Sequence, residues 1–151
     1  MRLPLLLLAT IATAAAAQQP TDTTRAQKRI IQLPGSLPGL PLSTGVQVGN
    51  VIYLSGQIGV LPGTRQLVDT GVTKQTQQTL ENIKAILTYA GSSMERVFKC
   101  TVFLTNIRDF DDMNRAYITF FPKDPPARST IAGSGLALGA KVEIECMATA
   151  N

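Results

Sequence analysis

The sequence predicts an α+β fold, a sheet backed by two helices, and three features of its pattern predict it. Apolar residues recur at three- and four-residue steps in two stretches, Val72–Ala90 and Phe110–Phe121. The segment from Lys141 to Thr149 alternates strictly, with Val142, Ile144, Cys146 and Ala148 on one side and Lys141, Glu143, Glu145 and Met147 on the other. The order strands, helix, strand, helix, strands belongs to a layered domain rather than to repeated βαβ units.

Residues 1–17 precede the fold. Arg2 supplies a positive charge, Leu3 to Thr13 is almost wholly apolar, and Ala15-Ala16-Ala17 forms a small-residue cleavage site before Gln18. These are the three parts of a secretory signal peptide, and the apolar run falls short of the ~20 residues that span a bilayer. The expected mature chain is therefore residues 18–151, secreted or periplasmic, with no membrane attachment after cleavage. Residues 18–27 form a polar tail, and the domain occupies 28–151.

Within the domain, a short strand is expected around Ile30–Gln32. Three prolines and two glycines between Lys28 and Thr44 make the following stretch irregular. Gly49-Asn50 separates two apolar runs and predicts a hairpin whose second strand is Val51–Leu54. Leu61-Pro62-Gly63-Thr64 predicts another turn. In the first helix Val72, Thr76, Thr79, Leu80, Ile83 and Leu87 form the inner face, with Gly91 as the stop. Val97–Leu104 is rich in β-formers. Asp109 is the expected N-cap of the second helix, which runs through Phe120 or Phe121 to Pro122. Arg128–Ala132 is the next strand.

Composition narrows the chemistry. The 151 residues are 44% hydrophobic and bear a formal charge of +4, enough to bury one core. Histidine is absent, so a Ser-His-Asp triad, a Cys-His dyad, His-ligated zinc and a histidine pH switch are all excluded. Two cysteines cannot build a four-thiolate metal site. The cations are dispersed and no aromatic stripe accompanies them, so a nucleic-acid partner is not expected. Export permits a Cys100–Cys146 disulfide. Both residues sit in apolar strand-like runs, however, where a free thiol packs as a small hydrophobe, and that is the expected state.

Two polar residues stand where burial is costly. Arg128 follows Pro125-Pro126-Ala127 and opens a strand, and Glu145 lies inside an otherwise apolar one. Glu143 and Glu145 have about the 6.6 Å separation of an inverting glycosidase pair. Two carboxylates on one strand cannot flank a sugar, and without tryptophan there is little stacking surface, so that reading is rejected.

The chain resembles the Rid family (RidA/YjgF), small proteins that hydrolyse reactive imines and enamines. The matching stretches are Tyr53-Leu54-Ser55-Gly56-Gln57-Ile58, Gln78–Leu87, Thr101-Val102-Phe103-Leu104, Met113-Asn114-Arg115-Ala116-Tyr117, Pro126-Ala127-Arg128-Ser129 and Val142-Glu143-Ile144-Glu145. They follow the family order from about Lys28 to Ala150. The resemblance implies a chorismate-mutase-like single domain with a mixed sheet, assembled as a homotrimer with its sites in clefts between subunits. It also implies that Arg128 binds a carboxylate, that Glu145 is the acidic catalytic residue, and that Ser55, Asn114 and Thr130 line the substrate site.

The implied substrate is an imino or oxo acid. Arginine's planar fork takes its carboxylate in two parallel hydrogen bonds, and a desolvated glutamate orients water and delivers a proton to the leaving nitrogen. That chemistry needs neither metal nor cofactor. Two positions depart from the family: Leu42 replaces a site tyrosine, which removes a hydroxyl, and Thr130 replaces a frequent cysteine. The alternatives are a non-catalytic binder of small carboxylates and an RNA-cleaving protein, the latter weakened by the missing histidines.

Overall fold

The structure is a computed structural model, and it describes residues 27–36 and 39–151. The expected signal peptide and all but the last residue of the polar tail lie outside the described residues. Among the described residues, seven strands form one mixed sheet: β1 (Lys28–Ile31), β2 (Gly45–Val48), β3 (Val51–Leu54), β4 (Gln57–Ile58), β5 (Val97–Leu104), β6 (Ala127–Ala132) and β7 (Val142–Thr149). The sheet order is β1-β2-β3-β7-β5-β6, and β4 continues the line of β3 along β7. All pairs are antiparallel except β5 with β6, which the second helix joins as a crossover.

The helices α1 (Val72–Tyr89) and α2 (Phe110–Tyr117) cover one sheet face. The inner face of α1, including Leu80, Ile83, Ile86 and Leu87, is fully buried against Val102, Leu104, Ile144 and Ala148. Each such aliphatic side chain contributes roughly 1.5–3 kcal/mol when buried. Gly91 stops α1 as expected: it adopts φ +83°, and Ser92 N donates to Leu87 O at 2.8 Å, closing the left-handed cap. The Gly49-Asn50 hairpin and the Leu61–Thr64 turn also form, the latter closed by Thr64 N donating to Leu61 O.

Three expectations need correction. First, α2 ends at Tyr117 rather than Phe120 or Phe121. Beyond it the chain tightens into three-residue turns, with Phe120 N donating to Tyr117 O and Phe121 N to Ile118 O, and these still bury Phe121. Second, Asp109 occupies the N-cap position but makes no side-chain cap bond. Its Oδ2 faces Lys141 Nζ at 4.0 Å, and the capping side chain is Asn106, which accepts from Arg108 N at the preceding turn. Third, the cysteines are not free. Cys100 and Cys146 are register partners on β5 and β7, their Cα atoms 4.1 Å apart, and they form a disulfide. Strand adjacency decided this, and adjacency is a property of topology that neither segment carries alone.

The bridge joins residues 46 apart in sequence, so in the chain-entropy account it stabilises by about 4 kcal/mol. Denaturant unfolding with and without reductant checks this. Coincident midpoints would show that the bridge contributes nothing.

Packing around β4 is tight because Gly59 lies against helix α1. A Cβ on Gly59 would fall 2.7 Å from Gln75 Cα. Gln75 is buried, donates to Asp69 O and accepts from Lys141 N, while Asn82 Nδ2 donates to the carbonyls of Ile58 and Val60. Helix α1 thus holds β4, and with it Ser55-Gly56-Gln57, against β7.

Candidate functional site

Strand β6 is an edge strand, and its register with β5 aims its side chains. Arg128 pairs with Cys100, whose side chain faces the helices, so Arg128 also lies on the helix side. There α2 builds a bed for it. The guanidinium carbon sits 4.6 Å from the Tyr117 ring centre and 5.7 Å from that of Phe110, with Nη1 4.0 Å from Met113 Sδ. Among the described residues Arg128 pairs with no carboxylate. A half-buried guanidinium without a counter-charge has desolvation to recover, and an anion recovers it.

That anion has room. A groove of about 570 Å³ has Asn114, Arg115, Tyr117, Ile118, Pro126 and Arg128 among its lining residues. Burial pushes the Tyr117 hydroxyl up to about 12, against the pull of Arg128, so the phenol stays neutral across the physiological range. Thr130 lies two residues along β6 on the same face as Arg128, beside Val102, and does not line the groove.

The acidic residues stand elsewhere. Glu145 pairs with Thr101 and projects from the sheet face that the helices leave uncovered. It lines a hollow of about 140 Å³ with Tyr53, Lys99 and Thr101, and Lys99 Nζ donates to Ser129 Oγ at 2.8 Å. Arg128 and Glu145 are therefore on opposite faces within one chain. One small ligand cannot touch both.

Ser55 is half-buried and its hydroxyl is engaged, donating to Ser43 O at 2.6 Å, while its backbone N donates to Thr44 O. The serine pins the irregular 43–44 segment beside Gly56. The residue that meets this segment is Glu143, to which the family resemblance assigns no role. Glu143 lays its carboxyl over Gly56, where any Cβ would collide with it. Burial, and then the like charge of Glu145, raise the Glu143 carboxyl above its usual range. The signal was present in the alternation, since Glu143 and Glu145 share a face, but only the pairing of Ile58 with Glu143 shows which of the two meets Gly56.

The comparisons with known proteins agree with this architecture. A family model described as Endoribonuclease L-PSP matches residues 36–150, and Reactive Intermediate Deaminase A of Arabidopsis thaliana is 40% identical over 109 residues, 72% of this chain. The chain belongs to the Rid family. It spans 58% of the Arabidopsis protein's length. The mouse 2-iminobutanoate/2-iminopropanoate deaminase is 42% identical over 108 residues, 72% of this chain and 80% of its own. The structure of E. coli TdcF with bound serine superposes with a TM-score of 0.74 at 36% identity, covering 82% of this chain and 99% of TdcF. The single-domain Rid fold expected from sequence is thus the one observed.

Proposed function

We propose that this protein hydrolyses reactive 2-imino and 2-enamino acids to 2-oxo acids and ammonia, as a homotrimer outside the cytoplasm. The observation that carries the reading is Arg128, held on an aromatic bed in a groove with Asn114 and, among the described residues, paired with no carboxylate. Arg128 takes the substrate carboxylate through two parallel hydrogen bonds and fixes the C=N carbon. Deaminase names among the relatives at about 40% identity support the reaction class.

The acid comes from another copy of the chain. Because β6 is an edge strand and the carboxylates lie on the opposite, uncovered face, a neighbour's Glu143–Glu145 pair can approach the Arg128 groove. A protonated carboxyl of that pair gives its proton to the imine nitrogen. Water then attacks the carbon and surrenders a proton to the resulting carboxylate. That proton passes to the amine, the hydroxyl of the tetrahedral intermediate returns its own proton to the carboxylate as the C–N bond breaks, and ammonia leaves with the 2-oxo acid while the carboxyl is regenerated. An enamine is first protonated at carbon. Glu143 is assigned the donor's role, since its carboxyl lies over Gly56 beside Ser55, and burial with the like charge of Glu145 keeps it protonated to higher pH than an ordinary carboxylate.

Exposed apolar and aromatic side chains support assembly, among them Tyr53 and Ile131 on the uncovered face. Light scattering at micromolar concentration should give three times the monomer mass, and a monomer would remove the composite site. The disulfide fits an oxidising compartment, and Gln18 as the first residue of the exported protein would establish cleavage after Ala17.

The decisive assay generates imines in place with an amino-acid oxidase and follows ammonia release with and without the mature protein. No acceleration with small, branched or aromatic imino acids would leave a carboxylate binder instead.

A further inference from the structure

Helix α2 does more than close the core beside Arg128. We infer that Tyr117, seconded by Phe110, is a positioning residue that sets the plane and direction of the Arg128 guanidinium, so that its paired N–H edge faces the groove. This rests on the reading of Arg128 as the carboxylate anchor and adds what holds it.

Three observations support the inference. Tyr117 is 4% exposed and its ring centre lies 4.6 Å from the guanidinium carbon, within the range of a cation–π contact, with Phe110 at 5.7 Å. Beside these rings, Arg128 Nη1 lies 4.0 Å from Met113 Sδ, and among the described residues no carboxylate fixes its rotamer. A long side chain on an edge strand otherwise loses conformational freedom each time it binds a ligand. Tyr117 in turn is held, tilted against Phe121 with ring centres 4.7 Å apart, so the bed itself is rigid. The Tyr117 hydroxyl is buried and has no hydrogen-bond partner among the described residues. It does not reach the groove, and the role therefore lies in the ring.

The ring and the hydroxyl are separable by substitution. Tyr117→Phe keeps the π face, and Tyr117→Leu keeps apolar bulk without it. With 2-oxobutyrate as the calorimetric probe, Tyr117→Leu should weaken binding about fivefold, within the range of a partly desolvated cation–π contact. In the ammonia assay the same variant should raise KM by a similar factor while kcat stays within about twofold, since the proton-transfer groups are untouched. Tyr117→Phe should restore wild-type affinity. If Tyr117→Leu does not fold, Phe110→Leu carries the test, with an expected loss of about twofold in affinity at unchanged kcat. Wild-type binding in Tyr117→Leu overturns the inference, as does an equal loss in Tyr117→Phe, which would move the effect to the hydroxyl. Intact binding in Arg128→Ala would instead overturn the anchor itself.

Discussion

Replacing Arg128 by alanine should weaken 2-oxobutyrate binding about a hundredfold by isothermal calorimetry. Two charge-assisted hydrogen bonds at ~1.5 kcal/mol each supply ~3 kcal/mol, and tenfold in affinity corresponds to about 1.4. Arg128→Lys should recover only part of the loss. An ammonium keeps the charge but can neither grip a carboxylate with two parallel bonds nor lie flat on Tyr117. A dissociation constant within twofold of wild type in Arg128→Ala would exclude Arg128 from the site.

The second large effect concerns the carboxylates. Glu143→Gln should lower turnover by roughly two orders of magnitude or more while ligand binding stays near wild type, because the shape is kept and the exchangeable proton is lost. Glu145→Gln should behave differently. The Glu145 charge is one of the two causes that raise Glu143, so its removal lowers the Glu143 pKa. A general acid with a lower pKa loses its proton sooner as pH rises, and the alkaline limb of the pH–rate profile should move to lower pH. Turnover lost in Glu145→Gln but kept in Glu143→Gln would transfer the proton donor's role to Glu145.

How much of this was legible beforehand follows the range of the interactions. Local signals carried α1, its Gly91 stop, the Gly49-Asn50 hairpin and the two-faced strand β7, because periodicity and turn chemistry act over a few residues. Arg128 stood out because a charged residue opens a strand after two prolines. What the sequence did not show was long-range. The Cys100–Cys146 bridge and the seat of Glu143 over Gly56 depend on which strands are neighbours and in what register. The end of α2 was misplaced because Phe120 and Phe121 continue the apolar pattern after the backbone has tightened into turns. The Ser55 hydroxyl donates to Ser43 O, a contact across the irregular 43–44 segment that the local pattern does not carry.

The separation of Arg128 and the glutamates onto opposite faces of one sheet has a genetic consequence. Two alleles that each abolish activity, one lacking the arginine and one lacking the acid, should rescue each other when co-expressed. In a cyclic trimer whose every cleft takes its anchor from one chain and its acid from the next, random mixing of equal amounts leaves about a quarter of the clefts intact. A site enclosed in one chain gives no such complementation, and a double mutant carrying both lesions in every copy cannot be rescued at all.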